Sequence, residues 1–292
     1  MSSGATGNES PVSAEGLLRD VQERLRDGGT EDWRLEARWI LEDVTGSDYS
    51  RIIAGLADVP TRSQTQKALE LTQARLEGEP LAHVLGYTEF YGLRFRLARG
   101  VMVPRRETET LVDAALGLMD SHDWAEPRVL DCYAGCGNIL LSIMARRPGV
   151  RGVGIEIDPE ALACAEANKK SLGREDAIFI LGDVFEELGR IDRKFHLVTA
   201  NPPYVCSGDI ESLQREISAH ERRWALDGGR NGMDHYRVLA AKTPSALVPG
   251  GFLLAEIGIG RREAIAEVFA EWGELDFQLD LSGHPRALVA RA

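Results

Sequence analysis

From Arg128 onward the chain alternates short apolar runs with helix-period segments, and this alternation restricts the fold more than any other feature of the sequence. The pattern predicts strands over 128–132, 153–156, 177–180, 195–200 and 251–256, with helices after Gly137, over 159–171 and over 234–247. Two further short strands, 277–281 and 286–290, flank Ser282-Gly283-His284-Pro285. Strand-helix-strand order specifies an α/β fold with a doubly wound, mostly parallel sheet, because parallel neighbours need helical crossovers. In such a sheet ligands bind beyond the carboxyl ends of the strands.

Upstream the period is helical. Leu17, Val21 and Leu25 recur every four residues before Gly28-Gly29, and Ala37, Ile40, Leu41 and Val44 form a second face before Gly46. Ala68, Leu71 and Leu76 mark a third helix within 61–78. Short connections favour a small antiparallel bundle, with Trp33 and Trp39 in its core or at its contact with the second domain. From Gly86 the period falls to two: Leu93, Phe95 and Leu97 alternate with Arg94 and Arg96, as in a half-buried hairpin strand, and a helix follows over 107–118. The expected division is a Ser/Gly-rich disordered tail at 1–11, a helical domain at 12–85, a β-hairpin joint at 86–109 and an α/β domain at 110–292.

The formal net charge is −12, and no window carries a basic run. Nucleic-acid binding is driven by clustered Lys and Arg that release counterions, so a generic nucleic-acid partner is not expected. Apolar runs fall well short of the roughly 18 residues of a membrane span. The first eleven residues resemble neither a signal peptide nor an Arg-rich transit peptide, so a cytoplasmic location is expected. Cys132, Cys136, Cys164 and Cys206 are too few for a disulfide framework. The C-x3-C spacing of Cys132 and Cys136 has no second ligand pair nearby, so no metal is expected.

Three acids end three successive predicted strands. Asp131 opens a loop containing Gly135 and Gly137, whose missing side chains let backbone approach a ligand. Glu156 follows 25 residues after Asp131, where an acid accepts hydrogen bonds from a ribose diol. Asp183 and Val184 follow the third strand, where the carboxylate can accept from an adenine amino group. These acids specify a nucleoside without saying which. A dinucleotide fingerprint requires a third glycine where this chain has Leu140, so S-adenosylmethionine, which has no pyrophosphate and leaves as S-adenosylhomocysteine, is the better fit.

Asn201-Pro202-Pro203-Tyr204 directly follows the fourth strand. Two prolines fix two φ angles and remove two donors while their carbonyls stay free to accept. Such a loop can hold both hydrogens of an NH2 group, one on the Asn201 side-chain oxygen and one on the Pro202 carbonyl, with Tyr204 as a flat wall. The free face of the nitrogen then points toward a methyl donor.

This loop resembles the [NDS]-P-P-[YFW] motif of amino-group methyltransferases acting on planar nitrogens. DNA methyltransferases share it, but they need a basic phosphate cleft, which the charge of −12 disfavours. The resemblance extends further. The stretches 78–92, 103–109, 225–229, 232–236 and 249–258 are similar to signatures of the HemK/PrmC family, the glutamine methyltransferases of peptide chain release factors, over nearly the whole chain. That resemblance implies a helical N-terminal domain for substrate recognition, a β-hairpin joint and a seven-stranded, Rossmann-like class I methyltransferase domain. It implies methyl transfer from S-adenosylmethionine to the glutamine of the Gly-Gly-Gln loop of a class I release factor. Carried over, Asp131, Gly135, Gly137, Glu156, Asp183, Val184 and Asn201 bind cofactor, and Asn201, Pro202 and Tyr204 are catalytic. Phe90, Tyr91, Arg105, Glu107, Thr108, Pro203 and Glu221 face the substrate, with Phe90 and Tyr91 near the methyl group.

The chain departs from the family pattern at Tyr133, where a glycine is usual, and at Cys136, Arg106 and Arg222. Tyr133 is expected to reshape the floor under the methionine moiety, and if it blocked cofactor the protein would be a non-catalytic binder or scaffold. The departures also keep open a free amino-acid acceptor such as the guanidinium of arginine, whose pocket needs carboxylates; Glu89, Glu107, Glu211, Glu216 and Glu221 are the candidates.

Overall fold

The computed structural model describes residues 13–122 and 124–292, so the tail expected over 1–11 lies outside the described residues. The chain divides into two compact units, one ending at Leu85 and one running from Gly86 to Ala292.

The first unit is helical: Ala14–Asp27, Trp33–Thr45, Tyr49–Ile53, Arg62–Leu76 and Leu81–Leu85. Ser13 caps the first helix by accepting from the Gly16 N–H, and Thr61 with Gln64 forms a capping box at the fourth. Leu17, Val21, Leu25, Ile40, Leu41 and Ile52 make its core. The short helices at 49–53 and 81–85 lack the repeat length that periodicity detects. Trp33 packs against this core, but Trp39 is 42 % exposed and does not belong to it.

The second unit opens with a hairpin of β1 (Tyr87–Phe90) and β2 (Leu93–Arg96), paired antiparallel from Tyr87↔Arg96 to Phe90↔Leu93. A 3-10 turn, Arg106–Thr108, precedes the helix Glu109–Ser121, so that helix begins two residues later than its apolar pattern suggests. The main sheet comprises β3 (Arg128–Cys132), β4 (Arg151–Glu156), β5 (Ile178–Leu181), β6 (Phe195–Ala200), β7 (Leu247–Glu256), β8 (Glu274–Leu279) and β9 (Pro285–Arg291). Its order is β5-β4-β3-β6-β7-β9-β8, parallel through β7 and antiparallel at β9 and β8.

β7 is longer than expected because pairing resumes before Pro249-Gly250-Gly251, at the cost of a register shift against β6 between Phe195 and Leu197. The helix Arg262–Val268, which has only one buried residue, Ile265, was not apparent in the sequence. Gly154 leaves room for the ring of Phe179, its paired residue on β5, since a Cβ there would stand 2.5 Å from that ring. The strand order reverses between β3 and β6, the crevice where this architecture binds ligands.

Candidate active site

At that crevice a cleft of about 460 Å³ is lined by Tyr133, Gly135, Glu156, Asp183, Val184 and Asn201, with Phe185, Arg222, Trp224 and His235 completing its walls. A cavity of this size suits a nucleoside. Glu156 ends β4 with both oxygens engaged by backbone: Gly135 N–H donates to Oε2 at 2.7 Å and Asp158 N–H to Oε1 at 2.8 Å. Burial raises its pKa, and those backbone donors oppose the shift. Asp183 begins the turn after β5, with Oδ1 accepting from Phe185 N–H at 2.8 Å.

Asp131 and Gly137 do not line the cleft. Asp131 is fully buried between β3 and β6, where Oδ1 accepts the Thr199 hydroxyl at 2.7 Å and Oδ2 has no partner among the described residues. Burial pushes its carboxyl up to about 7, while the Thr199 bond pulls the other way. Gly137 takes φ 83° at the start of the helix Asn138–Arg146, and a Cβ there would stand 2.9 Å from Phe179. Both residues shape the loop from behind.

Tyr133 holds φ 63°, a conformation that favours glycine. Its hydroxyl lies 3.0 Å from His235 Nδ1, and His235 in turn meets Phe185 edge-on with ring centres 5.0 Å apart. Tyr133 is thus part of a wall of the cleft, and the cleft remains open beside it. Arg222 pairs with Glu160 and lies 3.5 Å from Asp158, so it ties the segment after residue 221 to the start of the helix Pro159–Ser171.

A second cavity of about 150 Å³ abuts the first. Asn201, Pro203, Met102 and Ala225 line both, and Pro202, Tyr204, Arg105 and Glu221 line only the smaller one. Arg105 donates to Glu221 Oε1 at 2.5 Å, and Glu221 Oε2 is buried without a partner among the described residues. Burial raises the Glu221 pKa and Arg105 opposes it.

Beneath the Asn-Pro-Pro-Tyr loop sits Glu256, the last residue of β7 and 1 % exposed. It accepts the Thr108 hydroxyl at 2.5 Å and the Tyr204 hydroxyl at 3.3 Å, and its backbone oxygen accepts the Tyr236 hydroxyl at 2.7 Å. Asn201 Nδ2 donates to the Thr108 hydroxyl at 3.4 Å. Glu256 and His235 do not stand out as site residues in the sequence, and Arg222 stands out there only as a departure from the family pattern. The available signal for Glu256 was an acid closing an apolar strand, as Glu156 closes β4.

Several expected substrate contacts fall elsewhere. Phe90 is 2 % exposed and packs edge-on against Phe95, and Tyr91 donates its hydroxyl to Asp113 at 2.6 Å; neither lines either cavity. The physical reason is the two-residue hairpin turn: Tyr91 at φ 52° and Gly92 at φ 71° aim the tyrosine at the helix Glu109–Ser121. Glu107 is exposed in a separate acidic groove with Arg106 and Asp276, and Thr108 lies under the loop and lines neither cavity. Of the five carboxylates proposed for a guanidinium, only Glu221 lines the cavity beside the loop.

A seven-stranded sheet of this order, with an acid at the end of β4 and an Asn-Pro-Pro-Tyr loop at the end of β6, defines an S-adenosylmethionine-dependent methyltransferase of class I. Residues 16–86 match the PrmC N-terminal domain, and residues 110–231 match the methyltransferase small domain. The chain is 36 % identical to the release factor glutamine methyltransferase of Bradyrhizobium diazoefficiens over 96 % of its own length and 95 % of that protein. It is also 36 % identical to the protein of the same name from Rhodospirillum rubrum, covering 98 % of this chain and 87 % of that one. Among solved structures, a release factor-specific protein-(glutamine-N5) methyltransferase from Alicyclobacillus acidocaldarius is similar at 23 % identity and a TM-score of 0.42, over 65 % of this chain and 93 % of that one. The chain belongs to the PrmC/HemK family of release factor glutamine methyltransferases.

Proposed function

We propose that this protein methylates the side-chain amide of a glutamine in a peptide chain release factor, with S-adenosylmethionine in the larger cleft and the amide in the smaller one. The observation that carries this reading is the meeting of the two cavities at Asn201. S-adenosylmethionine supplies an electrophilic methyl group. Gly135 lets backbone approach it, Glu156 and Asp183 offer acceptors for its ribose and adenine, Val184 adds apolar contact, and the acids of the cleft favour its positive charge.

Asn201 Nδ2 is tied to Thr108, so its Oδ1 is left to accept. With the Pro202 carbonyl it takes the two N–H groups of a primary amide, which turns the nitrogen toward the methyl group. The Tyr204 ring supports the amide plane. Because an amide nitrogen is conjugated and weakly basic, orientation and electrostatics matter more here than a strong general base. Among the groups beside the loop, Arg105, although paired with Glu221, favours the amide acceptor. Its guanidinium can donate to an amide carbonyl, whereas a guanidinium acceptor would meet a like charge. A free amino-acid acceptor is therefore the weaker reading.

The test is a transfer assay with labelled cofactor that offers a release factor, free glutamine and free arginine in parallel. Label on the release factor alone is expected, and label on arginine would overturn the amide reading. Asn201→Ala should abolish transfer while leaving cofactor affinity nearly unchanged; loss of both would mean that the loop is structural.

A further inference from the structure

We infer that Glu256, which lines neither cavity, is a positioning residue that sets the direction of the hydrogen-bond chain orienting Asn201, an inference that rests on the proposed role of the Asn-Pro-Pro-Tyr loop. An ionised carboxylate can only accept, and a hydroxyl carries one proton. The Thr108 proton is committed to Glu256 Oε2 at 2.5 Å, so Thr108 Oγ1 has only acceptor capacity left for Asn201. Asn201 must then present Nδ2 to Thr108, as it does at 3.4 Å, and its Oδ1 becomes the acceptor for the substrate nitrogen.

The polarity matters because the two ends of an asparagine amide are nearly identical in shape and opposite in hydrogen bonding. With the amide reversed, the loop would present a donor to a nitrogen that itself carries two hydrogens, and no productive bond could form. Shape alone does not choose between these states; the direction of the Thr108 hydroxyl does. Tyr204 donates to the other Glu256 oxygen at 3.3 Å, so one buried carboxylate fixes two residues of the loop. Burial raises the Glu256 pKa, while two hydroxyl donors and the nearby positive charge of Arg286 oppose that shift and support the ionised form.

A reversal experiment tests this. In Glu256→Gln the amide that replaces the carboxylate can keep its oxygen toward Tyr204 and donate to Thr108, which turns the Thr108 proton toward Asn201 and favours the unproductive amide. Transfer at saturating substrate should fall by about tenfold or more, with cofactor affinity held within about twofold. In Asn201→Asp two carboxylates compete for the single Thr108 proton, and the rate should also fall. Combining the two substitutions gives a chain running in the opposite direction. The introduced amide donates to Thr108, Thr108 donates to the introduced carboxylate, and the chain again ends on an acceptor facing the substrate.

The double variant should therefore be about tenfold faster than Asn201→Asp alone, a recovery that independent defects would not give. A double variant no faster than Asn201→Asp, or Glu256→Gln with wild-type kinetics, would overturn the inference. Should Glu256→Gln fail to fold, Thr108→Val removes the hydroxyl with little change of shape. It should lower the transfer rate with cofactor affinity kept, and full activity in it would equally overturn the relay. Rates are compared on whichever acceptor the wild-type protein labels. Label on arginine would then sink the amide reading while leaving the variants able to decide the relay.

Discussion

The hydroxyl of Tyr133 stands 3.0 Å from Nδ1 of His235, joining the loop after β3 to the helix Asp234–Ala246 along one wall of the cleft. Burial holds the His235 pKa below its ordinary value, and the Asp227 backbone is a second partner of the ring. A neutral imidazole has one donor and one acceptor, so Nδ1 takes the Tyr133 proton while the other nitrogen donates to Asp227. Where the family resemblance leads one to expect a glycine, this chain carries backbone strain and gains a partly buried, hydrogen-bonded ring.

That arrangement predicts the behaviour of Tyr133→Phe. The ring stays, so the wall of the cleft keeps its shape, but His235 loses a partner. Unfolding by denaturant should show a loss of about 1 kcal/mol. Calorimetric affinity for S-adenosylmethionine should change by less than about threefold. A large loss of affinity without loss of stability would mean that the hydroxyl contacts cofactor directly.

Arg222 yields a kinetic prediction. Its guanidinium reaches Glu160 and Asp158 across the rim of the cleft, and both Arg222 and Asp158 line it. Since the pair with Glu160 is substantially exposed, its worth to global stability is small, about 1 kcal/mol or less. Its leverage is on opening. Arg222→Ala should speed cofactor release by about three- to tenfold, equivalent to about 1 kcal/mol, with melting temperature nearly unchanged. Trp224 lines the same cleft and is 51 % exposed, so its fluorescence in a stopped-flow chase provides the readout.

Much of this fold was legible because its signals are local. Strands β3 and β6 are short, mostly apolar and buried nearly throughout, interrupted by Asp131 in one and by His196 and Thr199 in the other, and the helix Pro159–Ser171 announces itself with Asp158 as cap and Pro159 in its first turn. Glu156, Asp183 and Asn201 were readable because each falls at the end of a recognisable strand. What was not legible depends on three-dimensional direction. Nothing in the string Phe90-Tyr91-Gly92 says that the turn sends Tyr91 to Asp113, 22 positions away, and nothing near Thr108 says that its partner is Glu256, 148 positions away. Burial of Asp131 and exposure of Trp39 likewise follow from tertiary packing that a periodicity count does not contain.

In the helical unit, Glu36 and Arg75 form a two-pronged ion pair, with Nε to Oε2 at 2.7 Å and Nη2 to Oε1 at 3.1 Å, each side chain only 11 % exposed. Removing the acid strips two charge-assisted hydrogen bonds from a largely buried guanidinium that keeps its contact with the Glu79 carbonyl, a loss of about 1.5 to 3 kcal/mol. Glu36→Ala should therefore raise amide hydrogen exchange in the helices Trp33–Thr45 and Arg62–Leu76, which carry the two partners. Exchange is the right probe because a chain with two compact units need not unfold in one step. Protection unchanged in both helices would show that the pair contributes little.

Asp131 supplies a test of stability against pH. Its carboxyl is raised from 3.8 to about 7, chiefly by burial, so between those values the folded protein keeps a proton that the unfolded chain has released. The contribution of Asp131 to stability is therefore fully present below about pH 4 and is lost as pH rises through 7. The loss is on the order of a few kcal/mol. Asp131→Asn keeps an acceptor for the Thr199 hydroxyl and removes the titration, although its amide nitrogen then occupies the place of Oδ2, which has no partner among the described residues. An unpaired amide there costs less than an unpaired charge. Melting temperatures at pH 4.5 and pH 8 should consequently fall less in Asp131→Asn than in the wild-type protein, and parallel profiles would show that Asp131 does not titrate in this range.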